Sequence, residues 1–174
     1  MADADGLAKL IAECKTVEEN SLYNAQAHYI LANTKEKHGR WLLIVPSAIA
    51  GLCGLLTAIG LPPWLGAFSA VGGLFVTVST ILGVDKAPTA HRNAACQWTA
   101  LRHEARSLSE TFATELPHEQ LLAEVRRLDD RYIALNQALP TTDDDSFQTA
   151  REQIHAGIHK PDFRKPAKEG KSEV

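Results

Sequence analysis

The sequence predicts an all-α membrane protein, a two-helix transmembrane hairpin with a cytosolic helical bundle formed by the N-terminal helix and the C-terminal helices. Three observations carry this. All 39 Asp, Glu, Lys and Arg residues fall outside one 44-residue block, Trp41 to Val84. That block is about twice the ~20 apolar residues needed to cross the hydrocarbon core of a bilayer. The segments on either side repeat apolar residues every three or four positions, the period of helices with one buried face.

The first element spans Asp5 to His38, with apolar residues at Leu7, Leu10/Ile11, Cys14, Val17, Leu22, Ala25, Tyr29 and Ala32 and no Pro or Gly between Gly6 and Gly39. Lys35, Lys37, His38 and Arg40 form a cationic collar, Trp41 stands at the interfacial level, and Leu42-Leu43-Ile44-Val45 begins the apolar block. A single Gly39 costs only about 1 kcal/mol relative to Ala, so the helix can run straight into that block. Pro46 lacks an N–H and crowds the carbonyl of Leu42, which predicts a kink there and makes it a hinge candidate.

The block divides into spans 41–61 and 63–84, each with ten Leu, Ile, Val or Phe. At ~0.3–0.6 kcal/mol apiece these give roughly −3 to −6 kcal/mol per span toward insertion, with no charge opposing it. Leu61-Pro62-Pro63 ends one helix and opens the next as a tight hairpin. Lys35, Lys37, Arg40, Lys86 and Arg92 flank the open ends while the turn carries no charge, so both termini are expected in the cytoplasm, with the hairpin in the bacterial inner membrane.

Beyond the block, Asp85-Lys86-Ala87-Pro88-Thr89 restarts the chain, with Asp85 or Thr89 as cap. One helix then shows the stripe Ala94, Trp98, Leu101, Ala105, Leu108 and Phe112 and ends before Pro117. The next shows Leu121, Val125, Leu128, Tyr132, Leu135 and Leu139 and ends at Pro140, making an antiparallel pair. Asp143-Asp144-Asp145-Ser146 leads into a short helix, Phe147 to about His159, with Phe147, Ala150, Ile154 and Ile158 apolar. The organisation is thus residues 1–40, a cytosolic amphipathic helix; 41–84, the hairpin; 85–160, a cytosolic helical region; and 161–174, a disordered tail of Lys, Glu, Pro and Ser.

Several function classes are excluded by composition. A net charge of −3 over mixed-sign segments gives no basic footprint for nucleic acid, and no Gly-rich phosphate loop occurs. Cys14, Cys53 and Cys96 are odd in number and far apart, so free thiols are expected. His155 and His159 share a helix face, but two ligands do not make a metal site. His103-Glu104 and His118-Glu119 lack the second His of a zinc-protease helix, since Ser107 and Leu122 stand there. No nucleophile elbow or Cys-His signature appears, so neither an enzyme nor a cofactor is expected. Arg102, Arg106, Arg126, Arg127 and Arg131 can either hold a phosphate or pair with Glu104, Glu124, Asp129 and Asp130, and pairing is the expectation.

Small residues mark both spans: Ser47, Gly51, Gly54 and Ala58 on the first, and Ser69, Gly73, Thr77 and Thr80 on the second. Spacings of three or four put each set on one face, suited to close helix approach, to assembly of several hairpins or to lining a pore. Packing within one hairpin is the simpler use of the same pattern. No ionisable residue lies in the spans, which argues against a proton relay or a charge-selective transporter.

Certain strings carry a family likeness: Glu13-Cys14, Ala25-Gln26-Ala27-His28-Tyr29, Trp41 through Pro46, Arg92-Asn93-Ala94-Ala95 with Leu101-Arg102, Asp130 through Pro140, Phe147 through Arg151, and Ile154-His155-Ala156-Gly157. In order and spacing, over about residues 7 to 160, the chain resembles the bacterial SLATT family, two-membrane-helix effectors associated with nucleotide-signalling and anti-phage conflict systems. The resemblance implies a homo-oligomeric, pore-forming or membrane-disrupting effector that depolarises or kills the infected cell. It implies activation by an upstream sensor protein or a nucleotide second messenger. The rival expectation is a non-conducting, membrane-anchored adaptor whose cytosolic bundle docks a partner.

Overall fold

The computed structural model describes residues 2–60, 62, 64–81, 83 and 86–157, and among them there is no strand. Five α-helices run in order: α1 Ala2–Ala58, α2 Trp64–Ile81, α3 Lys86–Glu110, α4 His118–Ala138 and α5 Asp144–His155, with a 3-10 turn at Phe112–Thr114 between α3 and α4. Leu61, Pro63, Val84, Asp85, Ile158, His159 and the tail 161–174 lie outside the described residues.

The N-terminal helix and the first apolar span are one element. α1 has 57 residues, which at 1.5 Å per residue is about 85 Å, and it continues through both Gly39 and Pro46. It is the common partner of the fold: α2 packs on its apolar end, and α3, α4 and α5 pack on its polar end, α3 most extensively. The antiparallel α3–α4 pair is present, joined by the edge-to-face contact of Trp98 with Tyr132 at 5.4 Å, yet α3 gives most of its surface to α1.

The buried stripe of α1 follows the expected period but not all the expected residues. Cys14, Val17, Ala25 and Ala32 are buried as the pattern predicts, whereas Leu22 and Tyr29 are only partly covered, and Ser21, Ala27, His28 and Leu31 take the buried positions. Cys14, Val17 and Ala25 join Trp98, Leu101, Ala105 and Leu108 of α3 and Leu121, Val125, Leu128 and Leu135 of α4 in one core. Phe112, expected in the α3 stripe, is 41% exposed, and Ala113 in the 3-10 turn closes the core instead.

Element boundaries moved where caps decided them. Thr89 is not a cap, because α3 already begins at Lys86, whose N–H bonds the Gly83 carbonyl, and Pro88 sits within its first turn. α5 starts at Asp144 rather than Phe147, since the Asp143 carboxylate accepts the Ser146 N–H at 2.8 Å. It ends at His155, where Gly157 adopts φ +82°, a left-handed stop. Within α5, Ser146 and Ala150 are buried, while Phe147 reaches Tyr23 of α1 at 6.2 Å and Gln153 bonds Gln26 at 2.6 Å.

The hairpin seam is set by glycine. A Cβ on Gly72 would stand 2.7 Å from the Ala50 Cβ and 3.0 Å from the Pro46 carbonyl oxygen. Only a residue without a side chain lets α2 come so close to α1. One residue on, about 100° around the helix, Gly73 has nothing within 4 Å of that position. This pair gives a matched test. Gly72→Ala should lower the stability of the detergent-solubilised chain by about 1–3 kcal/mol through overpacking against backbone, while Gly73→Ala should be neutral or stabilise by up to about 1 kcal/mol through helix propensity. Equal melting temperatures for the two variants would contradict the seam.

Candidate functional site

Two regions hold the candidate side chains: the outer faces of the hairpin and a polar cluster in the bundle beside it. The eight small residues singled out in the spans divide between seam and surface. Gly54 and Ser69 meet, with the Ser69 Oγ 3.2 Å from where a Gly54 Cβ would lie, so these two pack within the hairpin. Ser47, Gly51 and Ala58 on α1, and Gly73, Thr77 and Thr80 on α2, are exposed. Pro46 lies at the seam, its carbonyl beneath Gly72, inside an unbroken helix.

Seam residues run Pro46, Ala50, Gly54 and Thr57 on α1 against Gly66, Ser69 and Gly72 on α2. The outward small residues lie one position along, about 100° around each helix. Their hydroxyls are already satisfied: Ser47 donates to the Leu43 carbonyl at 2.6 Å, Thr77 to Gly73 at 2.9 Å and Thr80 to Val76 at 3.0 Å. Hydroxyls bonded back to their own helix are at no large penalty in apolar surroundings, and they keep lone pairs for water or a neighbouring helix. Around them the hairpin exposes Trp41, Ile49, Leu52, Leu55, Phe68, Val71, Leu74 and Ile81, each more than half accessible. None of the most apolar 18-residue stretch of α1 is buried by the rest of the chain.

The polar cluster joins α1 to α3 just before the apolar block. His28 Nδ1 lies 3.1 Å from His91 Nδ1, and Lys35 Nζ lies 2.9 Å from His91 Nε2. A lysine ammonium has donors only, so His91 accepts at Nε2 and carries its single proton on Nδ1. That proton is then donated to His28 Nδ1, which leaves the His28 proton on Nε2. The network therefore fixes both tautomers and gives the chain a direction, from Lys35 through His91 to His28. Burial, and then the facing His91, push the His28 imidazole down to about 4. Burial, with Lys35 second, also lowers His91, opposed by the carboxylate of Asp143. Both rings are 4% exposed or less.

His28 also borders a pocket of about 270 Å³, open to solvent on one side and lined by residues of α1, α3, α4 and the segment 139–142. A larger cleft of about 570 Å³ lies at the far end of α3 and α4, but the charges on its rim are spent on one another. Arg127 bonds Glu104 at 2.8 Å and also Glu124, and Arg131 bonds the other oxygen of Glu104. Arg106 pairs with Glu110 at 3.1 Å, and Arg102 approaches Glu18 at 4.0 Å. Four of the five arginines, Arg102, Arg106, Arg127 and Arg131, thus pair with carboxylates, chiefly Glu104 rather than Asp129 or Asp130. The described residues hold no cluster of three metal-ligating side chains, and His159 lies outside them.

Sequence reasoning missed Gly72, His28 and His91. A signal existed for the histidines: stepping back three from Ala94 along the α3 stripe reaches His91, and stepping three on from Ala25 reaches His28. Their polarity hid them from an apolar pattern. The thiols behave as expected, Cys14, Cys53 and Cys96 all being free, and burial with nearby Asp129 and Glu13 raises the Cys14 thiol to about 11.

The depressed His28 predicts a pH dependence with a definite sign. Between about 4 and the unfolded value of 6.5 the unfolded chain binds the extra proton, so stability rises with pH across that window and falls on acidification. His28 alone accounts for a loss on the order of 3 kcal/mol from pH 7 to pH 4. Burial raises Asp129, which acts in the opposite direction, so the difference from a His28→Gln variant isolates the effect. Denaturant unfolding of both proteins between pH 4 and 7.5 should show a shallower slope in the variant; parallel profiles would contradict it.

Comparison with protein-family models, with curated proteins and with solved structures gives no match for this chain.

Proposed function

We propose that this protein is a two-span inner-membrane effector whose hairpins assemble and open or disrupt the bilayer, with the bundle and both termini on the cytoplasmic side. The observation that carries the membrane reading is the uncovered hairpin. Two helical stretches long and apolar enough to cross a bilayer present their large side chains outward, with no charge between Trp41 and Val84. In water such a surface would drive aggregation, whereas in lipid it is the solvated state. The cationic flanks Lys37, Arg40 and Arg92 at the open end support the orientation.

Assembly is a requirement of the pore reading, because two helices enclose no lumen. The outward faces bearing Ser47 and Gly51, and Gly73, Thr77 and Thr80, are suited to it, since small residues permit close approach and hydroxyls offer interhelical bonds. This is the homo-oligomeric, conflict-system role that the SLATT likeness implies, with a sensor protein or nucleotide second messenger upstream.

One observation favours the second reading, a non-conducting anchor with a docking bundle. The hydroxyls on the outer faces are bonded within their own helices and do not need water. The two readings separate in bacteria induced to express the chain, with membrane potential and dye entry measured beside a Ser47→Leu/Thr77→Leu/Thr80→Leu variant of equal membrane content. Ser69 is left intact because it packs on Gly54. Depolarisation by the parent and at least about tenfold less by the variant is expected. Depolarisation by both would remove the face assignment. A membrane-embedded parent that never depolarises, even when co-expressed with the genes that neighbour its own, would favour the anchor.

A further inference from the structure

We propose that the cavity beside His28 is a binding site for a small, uncharged molecule, held through a hydrogen-bond acceptor on the ligand by the His28 Nε2–H. The inference stands on the bundle alone and does not depend on the pore reading.

The geometry assigns the donor. His28 is 97% buried, and its Nδ1 is occupied by His91. Since Lys35 can only donate, the chain of bonds forces the His28 proton onto Nε2, and among the described residues no protein atom accepts it. The Nε2–H is therefore unpaired within the bundle, on a ring that borders the pocket, and an acceptor on a ligand there would complete the chain of bonds. The lysine charge at the other end polarises both rings in the same sense, which strengthens the outermost N–H as a donor. A protonated His28 would place two N–H groups head to head at Nδ1, so the site works with both rings neutral.

The remaining walls set the chemical class. Asn24 and Asn136 bring amides, Thr141 and Thr142 hydroxyls, and Trp98 and Leu135 apolar surface, with no charged side chain lining the cavity. An anion or a cation entering here would give up part of its hydration with no opposite charge among the lining residues to meet it. About 270 Å³ is the liquid volume of about nine waters, which matches a single ring bearing a carbonyl rather than a nucleotide or a peptide. The site is built from α1, α3, α4 and the segment 139–142 that leads into α5, so its occupant touches three helices of the bundle. Through His91 it also touches the contact that holds α1 to α3 beside the hairpin.

Three water-soluble probes of similar size test this on the full chain in detergent micelles at pH 7.5: benzamide, benzoate and benzylammonium, with the ring nitrogens of His28 and His91 followed by ¹⁵N NMR. The free protein should show the proton on Nε2 in His28 and on Nδ1 in His91. Benzamide should shift the His28 nitrogens and bind at least about tenfold more tightly than benzylammonium, which offers no acceptor, or benzoate, which is charged. His28→Gln, which keeps a donor near the Nε2 position, should retain benzamide binding, and His28→Met should lose about tenfold. The proposal is overturned if the His28 proton sits on Nδ1, if benzamide binds no better than benzylammonium, or if benzoate binds most tightly. Should His28→Met fail to fold, the tautomers and the probe series on the parent protein decide alone.

Discussion

The structure depends on the continuity of α1. A helix of about 85 Å that runs on through Gly39 and past the one ladder bond that Pro46 cannot donate makes the bundle and the hairpin two ends of one rod. Every other helix is placed by what it finds on that rod. The polar end offers Cys14, Val17 and Ala25 to α3 and α4 and Tyr23 and Gln26 to α5, and the apolar end offers the Pro46–Ala50–Gly54 line to α2. Since the two ends share a backbone, a shift of α3 along the bundle is a shift relative to the hairpin as well.

The electrostatics are divided in the same way. Charges on the bundle surface are largely satisfied locally: Glu104 takes two arginines from α4, and Glu36 takes Arg40 and Arg92 at the edge of the hairpin. Exposed pairs of this kind contribute little stability. The exception lies inside, where Lys35, His91 and His28 form a directed chain between α1 and α3. Its members are held by burial in the state that each neighbour demands, so the chain is both a clamp between helices and a point of sensitivity to protons.

The hairpin is economical in its polarity. Ser47, Thr57, Thr77 and Thr80 each return their hydroxyl to a carbonyl four residues back, and the seam needs only glycine and small side chains to close. The result is a surface compatible with hydrocarbon on every side. Assembly into a pore would use the faces one position away from the seam, and the hairpin would keep its internal packing while doing so.

What the sequence by itself determined is what depends on local chemistry and spacing. The empty charge map between Trp41 and Val84 defined the apolar block, Pro62 the break between its two helices, Pro117 and Pro140 the limits of α4, and the three-to-four period most of the core from Cys14 to Leu135. What only the tertiary structure decided is which of several equivalent faces meet. Gly72 and Gly73 are identical in sequence terms, and a rotation of one position makes the first a close contact and the second open surface. His28 and His91 are 63 residues apart, and neither pattern nor propensity pairs them; packing α3 on α1 does, and Lys35 then fixes their protons. The cavity beside them exists only because three helices and a short connecting segment converge, a juxtaposition set by the summed packing of the whole bundle rather than by any stretch of it.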